Sequence, residues 1–189
     1  MGVTCSSKAA ISVSATKLIL LGAKGSGKTR LLYSWLLGVS SLVDTIPTES
    51  FNVESVQTPD GINLLVWDIS GDPSYRTKRR QFFHGTEGIV YVIDTSDPAL
   101  MQEAKEDLVT ILRDRDLLMV PLLLIANTRS SQGALDDYRL KKELNLESVL
   151  KERRWDTLTI AAFDQKEVDT SLEKLQNLLK STWVASLQH

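Results

Sequence analysis

The sequence predicts an α/β fold in which a six-stranded, mostly parallel sheet is covered by helices on both faces. Short aliphatic runs of strand length alternate along the 189 residues with segments of helical periodicity. This is the pattern of parallel strands joined by crossover helices. A glycine-rich loop, 22-GAKGSGKT-29, directly follows the first aliphatic run. Because ligands bind such sheets at the carboxyl ends of the strands, we expect the functional site at this loop.

Six aliphatic runs are predicted as strands, and two of them as a hairpin. The turn residues Pro59, Asp60 and Gly61 separate the second run from the third. These two strands are therefore expected to be antiparallel, with one of them at the edge of the sheet. The predicted strands are Lys17–Leu21, Phe51–Thr58, Ile62–Asp68, Gly88–Asp94, Pro121–Asn127 and Trp155–Ala161.

Three segments have the periodicity of amphipathic helices. The first covers Arg30–Leu37, the second begins after the cap residues Asp97 and Pro98, and the third covers Ser171–Leu187. In each segment apolar residues recur at spacings of three and four, which predicts one face packed on the sheet. These apolar residues are Leu31, Leu32, Trp35 and Leu36, then Ala104, Leu108, Ile111 and Leu112, and finally Leu172, Leu175, Leu178, Leu179 and Trp183.

The composition is that of an ordinary globular domain, and it argues against several classes of protein. Hydrophobic residues make up 42% and charged residues 24%, and the net charge of −2 gives no basic field that would attract nucleic acid. The single cysteine, Cys5, rules out an internal disulfide framework. No apolar run approaches the ~18 residues that a membrane-spanning helix needs. We expect residues 1–16 to form a flexible N-terminal segment, residues 17–189 to fold as one domain, and the protein to be monomeric.

The glycine-rich loop matches the phosphate-binding pattern G-x-x-x-x-G-K-[ST]. Backbone N–H groups can converge on phosphate oxygens only where no Cβ intervenes, and glycine meets that condition. Lys28 would reach the β- and γ-phosphates, and Thr29 would coordinate Mg²⁺. The helix that begins at Lys28 adds the positive end of its dipole. The nucleotide-binding residues predicted in this loop are Gly22, Ala23, Lys24, Gly25, Ser26, Gly27, Lys28 and Thr29.

Three further motifs follow this loop along the chain. They are 47-PTESFNVE-54, 67-WDISG-71 and 92-VIDTSD-97. Together with the loop, they make the chain resemble the ADP-ribosylation factor (Arf) and Arf-like small GTPases over nearly its whole length. The resemblance implies a P-loop small-GTPase fold, GTP or GDP with Mg²⁺ as ligands, and effector proteins as partners.

The resemblance also implies roles for residues outside the loop. Thr48, in the first switch, would bind Mg²⁺ in the triphosphate state. Asp68 would hold Mg²⁺ through water, and the N–H of Gly71 would bond the γ-phosphate. The aromatic trio that contacts effectors in this family corresponds to Phe51, Trp67 and Phe82.

The base-recognition motif departs from the family pattern. Where the family has N-K-x-D, this chain has Asn127-Thr128-Arg129-Ser130. Asn127 can still brace the phosphate loop. Thr128, however, lacks the lysine stem that covers the base, and Ser130 lacks the carboxylate that pairs with guanine. The last base-binding loop is still represented by Ala161 and Ala162. The preference for guanine over adenine therefore stays open.

Two more departures lie beside the predicted γ-phosphate position. Asp72 follows Gly71 where the family has the glutamine that orients the attacking water, so we predict slow or absent hydrolysis at this hydrolytic centre. Lys24 stands where Arf proteins have aspartate. Its side chain either points into solvent or approaches the γ-phosphate as an additional cation.

The first residues fit a lipid-attachment signal. Met1-Gly2-Val-Thr-Cys-Ser6 matches the M-G-x-x-x-[ST] pattern of myristoylation at Gly2, and Cys5 lies where palmitate could be added. One acyl chain binds a membrane only marginally, whereas two anchor a protein stably. We therefore predict a cytoplasmic protein that associates peripherally with membranes, and the resemblance implies a role in signalling or vesicle trafficking.

Three classes of function stay open at this point. The first is a GTP-dependent switch, and the second is an interaction module of the same fold with little nucleotide binding or relaxed base specificity. The third is a phosphotransferase or ATPase, which would need a second substrate pocket or a catalytic base. A basic run in the second switch region is interpreted as a solvated face, with contact to an acidic partner or lipid headgroups as the alternative. The run consists of Arg76, Lys78, Arg79 and Arg80.

Overall fold

A computed structural model describes residues 15–41, 46–96, 98–128, 137–161 and 164–186. Strands and helices alternate along these residues. The strands are β1 (Thr16–Leu21), β2 (Phe51–Gln57), β3 (Asn63–Ile69), β4 (Gly88–Asp94), β5 (Leu122–Thr128) and β6 (Trp155–Ala161). The helices are α1 (Lys28–Leu37), α2 (Pro98–Leu112), α3 (Asp137–Glu143), α4 (Leu146–Val149) and α5 (Gln165–Ser186).

The six strands form one sheet in the order β2-β3-β1-β4-β5-β6. All neighbouring strands are parallel except β2 and β3, which are antiparallel, so β2 is the predicted antiparallel edge. The predicted fold class is confirmed. Strand β1 lies between β3 and β4, with Leu20 opposite both Asp68 and Val90. The carboxyl ends of the three strands therefore meet at one edge of the sheet.

Side chains of the central strands alternate between two separate hydrophobic cores. Leu18 and Leu20 of β1 pack in the core that α1 and α5 cover. Ile19 and Leu21 pack in the core that α2, α3 and α4 cover. All four side chains are almost completely buried. Helices therefore lie on both faces of the sheet, as the alternation in the sequence predicts. Among the described residues, no helix is long and apolar enough to cross a membrane.

Two parts of the helical structure differ from the prediction. Helix α5 begins at Gln165 rather than Ser171, because Asp164 provides a cap: its carboxylate accepts a hydrogen bond from the N–H of Lys166 at 3.0 Å. The short helices α3 and α4 occupy a stretch whose apolar period is too short to identify a helix from the sequence. Each contributes a fully buried leucine to the core, Leu140 and Leu146.

The basic run is a solvated face only in part: Lys78 and Arg80 are exposed, as expected, whereas Arg79 is not. Arg79 is buried, and its guanidinium binds both carboxylate oxygens of Asp107 in α2, at 2.9 and 2.5 Å. The hydroxyl of Tyr91 donates to the same carboxylate at 2.9 Å. Closer to the surface, Arg80 pairs with Asp114 at 2.6 Å. The contacts of Arg79 fasten residues 71–82, which we call the second switch segment, to helix α2, and that of Arg80 fastens them to the residues that follow α2.

The turn between β2 and β3 is fastened to α5. The N–H of Asp60 donates to the side-chain carbonyl of Gln176 at 3.0 Å, and the Gln176 amide donates back to the Asp60 carboxylate at 2.9 Å. The ammonium of Lys180 donates to the same carboxylate. Gln176 is buried. Separating the turn from α5 would therefore either expose these polar groups to water or leave them without hydrogen-bond partners.

Candidate functional site

The glycine-rich loop joins the carboxyl end of β1 to the amino end of α1, and its path depends on glycine. Gly22 has φ +140°, and a Cβ at this position would lie 2.1 Å from the carbonyl oxygen of Val92 in β4. No side chain fits there, so the loop can pack against the sheet only with glycine at residue 22. We call residues 22–29 the phosphate loop.

Lys28 is buried beneath the phosphate loop. Its ammonium donates to the carbonyl oxygens of Gly22 at 3.0 Å and Ala23 at 2.9 Å. Burial lowers the pKa of Lys28 from 10.5 to about 8, although the negative charges of Asp68 and Asp107 act in the opposite direction. A buried ammonium is unfavourable unless an anion compensates it. Its position under the loop suits a phosphate group.

Thr29, Thr48 and Asp68 meet beside Lys28. The hydroxyl of Thr29 donates to Asp68 Oδ2 at 2.6 Å and lies 2.9 Å from the hydroxyl of Thr48, which also donates to Asp68 Oδ2 at 3.2 Å. Ser70 holds Thr48 in place, because its hydroxyl donates to the Thr48 carbonyl oxygen at 2.8 Å. Three residues from separate parts of the chain thus place their oxygens together.

These oxygens fit a magnesium ion. Asp68 is fully buried, and burial raises its pKa against the hydrogen bond from Thr29 and the charge of Lys28. Its Oδ1 atom is buried and has no hydrogen-bond partner within the described part of the chain. A buried carboxylate oxygen without a partner is costly, and Mg²⁺ prefers carboxylate, hydroxyl and water oxygens. The donor set and the unpartnered oxygen both suit Mg²⁺.

Gly71 lies directly against the phosphate loop. The N–H of Lys24 donates to the carbonyl oxygen of Gly71 at 3.0 Å. A Cβ at residue 71 would lie 2.5 Å from backbone atoms of Gly22, Ala23 and Lys24. Only glycine allows this approach, which brings the second switch segment to the predicted γ-phosphate position.

Lys24 and Asp72, the two departures from the family pattern in this region, contact each other. The ammonium of Lys24 lies 3.1 Å from Asp72 Oδ2. The other carboxylate oxygen, Oδ1, accepts hydrogen bonds from the N–H and the hydroxyl of Ser74 at 3.0 and 2.7 Å. The Lys24 side chain is 56% exposed, and its ammonium pairs with the residue that replaces glutamine. Its approach to the γ-phosphate stays a prediction.

At the opposite end of the loop, Asn127 acts as a brace. Its buried side-chain amide donates to the carbonyl oxygen of Ser26 at 2.9 Å. Thr128 is also buried and pairs across the sheet with Ala161, the last residue of β6. The structure thus brings together one side of the predicted base site. Arg129, Ser130 and Ala162 lie outside the described residues, as do the predicted lipidation sites Gly2 and Cys5.

The predicted aromatic trio forms one cluster on β2, β3 and the second switch segment. The ring centroids of Phe51, Trp67 and Phe82 lie 4.9–5.6 Å apart. Phe51 is 41% exposed, whereas Phe82 is buried beneath it. Lys17 supports the cluster: its ammonium lies 5.2 Å from the Trp67 ring centre and donates to the carbonyl oxygens of Phe82 and His84 at 2.7 Å.

Sequence reasoning did not identify three residues that shape this site, Lys17, Ser70 and Ser74. Each acts through a hydrogen bond to a partner that only the fold or the local turn specifies. For Ser74 a local signal exists, because Asp72-Pro73-Ser74 is a capping sequence in which the aspartate accepts from the N–H two residues later. For Lys17 and Ser70 no comparable sequence signal is available.

Comparisons with known proteins agree with the resemblance. The model of the ADP-ribosylation factor family matches residues 4–179. ADP-ribosylation factor 1 of Brassica rapa subsp. pekinensis is 36% identical over 165 residues, covering 87% of this chain and 88% of the relative. ADP-ribosylation factor K of Dictyostelium discoideum is 34% identical over 140 residues, covering 74% and 72%. Among solved structures, the Arl6 BBS3 small GTPase of Trypanosoma brucei with bound GppNp has a TM-score of 0.77 at 19% identity, covering 89% and 99%.

Removing the buried charge of Lys28 should stabilise the fold when no nucleotide is bound. We expect Lys28→Met to raise the free energy of unfolding at pH 7 by about 1–2 kcal/mol, because methionine fills the space without an ammonium to bury. For a chain of this size that is a rise of about 2–8 °C in the unfolding midpoint. The measurement is calorimetric unfolding of nucleotide-free protein, with the exposed Lys78→Met as control.

The pH dependence of this difference has a definite sign. The pKa of Lys28 in the folded state, about 8, lies below the ordinary lysine value of 10.5. The unfolded state therefore binds more protons between these two pH values, and the free energy of unfolding of the wild type rises with pH there. The difference in the free energy of unfolding between Lys28→Met and wild type should therefore decrease from pH 8 to pH 10.5. If the variant is less stable than wild type at pH 7, the buried ammonium does not destabilise the fold.

Proposed function

This chain belongs to the ADP-ribosylation factor family, and from that premise we propose that it is a GTP-binding switch that recruits effector proteins in its triphosphate state. The observation that supports this most strongly is the convergence on one loop of residues from both switch regions. Thr48 and Gly71, from the first and second switches, lie against the loop that holds Lys28. A γ-phosphate at this place would contact all three, so both switches would be ordered when it is bound and released when it is lost.

Each residue of the site has a distinct task in this proposal. Lys28 would neutralise the β- and γ-phosphates, and the loop N–H groups would donate to their oxygens. Thr29, Thr48 and Asp68 would hold Mg²⁺, which when bound neutralises charge on the phosphate oxygens. The N–H of Gly71 would donate to the γ-phosphate. The second switch segment would then be fixed by the nucleotide on one side and by α2 on the other.

Effectors would dock on the aromatic cluster. Phe51 is the exposed member, and its ring rests on Trp67 and Phe82. Aromatic side chains with one face supported and one face open are typical contact residues at protein interfaces. Phe51 and Trp67 are carried by β2 and β3, and these strands lie in the sequence between the nucleotide-binding residues Thr48 and Gly71. The cluster would therefore move with the switches.

The second candidate is an interaction module of the same fold with weak or base-tolerant nucleotide binding. It is favoured by the replacement of the family's lysine by Thr128 and of its aspartate by Ser130. Charge-assisted hydrogen bonds contribute about 1.5–3 kcal/mol each, so loss of the two that the aspartate makes to guanine would weaken base recognition strongly. Asn127 retains the brace on the phosphate loop, which preserves phosphate binding more than base selection.

Calorimetric titration with GTP, GDP, ATP and ADP in the presence of Mg²⁺ tests the proposal. We expect both guanine nucleotides to bind, GTP to lose about tenfold or more in affinity when Mg²⁺ is chelated, and Lys28→Ala to abolish binding. Equal affinities for GTP and ATP would favour the base-tolerant candidate. Absence of binding by all four nucleotides, in a protein that unfolds cooperatively, would refute the switch.

Hydrolysis should be slow because Asp72 replaces glutamine. A carboxylate cannot donate as an amide does, and it adds negative charge beside a phosphate that is accumulating it. We expect Asp72→Gln to raise the single-turnover rate of GTP hydrolysis by about tenfold or more, measured on preloaded protein, with Asp72→Asn as the matched control of shorter reach. Wild-type hydrolysis as fast as that of Asp72→Gln would contradict this reading.

Membrane attachment is proposed to depend on Gly2 and Cys5. Metabolic labelling with an alkyne analogue of myristate should label the wild type and leave Gly2→Ala unlabelled, because the acyl chain attaches to the amino group of Gly2. Cys5→Ser should keep the myristate label, lose a palmitate label and shift protein from the membrane to the cytosolic fraction. An unlabelled wild type would reject acylation.

A further inference from the structure

The second switch segment touches the phosphate loop through direct contacts between groups of this chain. Lys24 provides two of them: its N–H donates to the Gly71 carbonyl oxygen at 3.0 Å, and its ammonium pairs with Asp72 at 3.1 Å. The absence of a side chain at Gly71 allows the backbones to approach this closely. One loop residue thus binds the first two residues of the second switch segment.

The turn that follows Asp72 orients its carboxylate for this pairing. Ser74 donates two hydrogen bonds to Oδ1, which leaves Oδ2 directed at Lys24. The hydrogen bonds from Ser74, followed by that from Lys24, lower the pKa of Asp72 to about 2. The carboxylate is therefore ionised at neutral pH, and the pair carries opposite full charges. An aspartate and a glutamine at these two positions, as the family pattern has them, could not form such an ion pair.

We propose that Lys24 and Asp72 form a latch that holds the second switch segment closed on the phosphate loop and so increases the preference of this chain for triphosphate over diphosphate. The inference rests on the proposed nucleotide-binding function. A ligand that binds only the closed state has an apparent affinity proportional to the fraction of protein already closed. GTP needs the closed state because Gly71 must reach the γ-phosphate, whereas GDP has no group there. The latch therefore strengthens GTP binding and leaves GDP binding nearly unchanged.

The size of the effect follows from the exposure of the pair. The side chains of Lys24 and Asp72 are 56% and 37% exposed, and exposed ion pairs change an equilibrium by about two- to fivefold at low ionic strength. Salt screens such pairs. The latch is thus weak enough to open when the switch must change state, unlike the buried pair of Arg79 and Asp107 at the other side of the segment.

The competing arrangement predicts an effect of opposite sign. If Asp72 does not hold the segment, its charge only repels the γ-phosphate, and its removal frees Lys24 to approach that phosphate. Asp72→Asn would then strengthen binding of triphosphate. If the pair is a latch, Asp72→Asn weakens binding of triphosphate relative to diphosphate.

The test is calorimetric titration of full-length protein with GDP and with a non-hydrolysable GTP analogue at about 0.05 M and about 0.5 M salt. We expect the ratio of the GDP to the analogue dissociation constant to fall by about two- to fivefold in Asp72→Asn and in Lys24→Gln. The exchanged pair Lys24→Asp with Asp72→Lys should recover part of the ratio. High salt should lower the wild-type ratio by more than that of the single variants, which lack the ion pair. A ratio that is unchanged or higher in Asp72→Asn overturns the latch.

Arg80→Gln is the matched control, because the side chain of Arg80 is as exposed as that of Lys24 (55% against 56%) and also forms an ion pair, but with Asp114, which follows α2 and is not part of the phosphate loop. Its ratio should equal that of wild type.

Hydrogen exchange of nucleotide-free protein separates failure of the latch from failure of the proposed function. The Lys24 amide, which donates to Gly71, should exchange about two- to fivefold faster in Asp72→Asn than in wild type. If the Lys24 amide exchanges at the wild-type rate in Asp72→Asn, the latch is overturned even if nucleotides bind. If it exchanges faster but no nucleotide binds to the protein, only the proposed preference for triphosphate is refuted.

Discussion

The close approach of the carboxyl end of β3 to the phosphate loop is the constraint on which the rest of this structure depends. Strand β1 carries the loop and pairs directly with β3, so Leu20 lies opposite Asp68 and the Asp68 carboxylate ends beside Thr29. The chain then continues into Gly71, where no side chain fits between the two backbones. The loop, the carboxylate and the second switch segment therefore pack as one unit.

The electrostatic character of this unit is unusual for a protein interior, since it contains two buried charges of opposite sign. Burial moves the pKa of Lys28 down and that of Asp68 up, so each group is pushed towards its neutral form. Their mutual attraction offsets only part of this cost. The two buried charges lower the free energy of unfolding, and a bound polyphosphate and divalent cation would offset this loss. Binding sites commonly destabilise the protein that carries them in this way.

The six strands, the antiparallel edge, the two-faced core and the residues of the phosphate loop follow from patterns that are local in sequence, whereas the strand order does not. Aliphatic runs specify the strands, and the G-x-x-x-x-G-K-T motif identifies Lys28 and Thr29 because phosphate chemistry needs those groups at that spacing. The burial of Arg79 could not be inferred, because it depends on Asp107 and Tyr91, which reach it only once α2 has packed on β4. The pairing of Lys24 with Asp72 was hidden for the same reason: it joins residues 48 positions apart.

The attachment of the β2–β3 turn to α5 means that β3 connects α5 to the phosphate loop. Strand β3 is seven residues long, about 23 Å of stiff extended chain, with the Asp60 turn near one end and Asp68 near the other. A displacement of α5 would be conveyed through Gln176 along this rod to the carboxylate beside Thr29. A molecule that displaced α5 would thus act on the phosphate loop from the opposite pole of the domain without touching it, if β3 moves as a rigid unit.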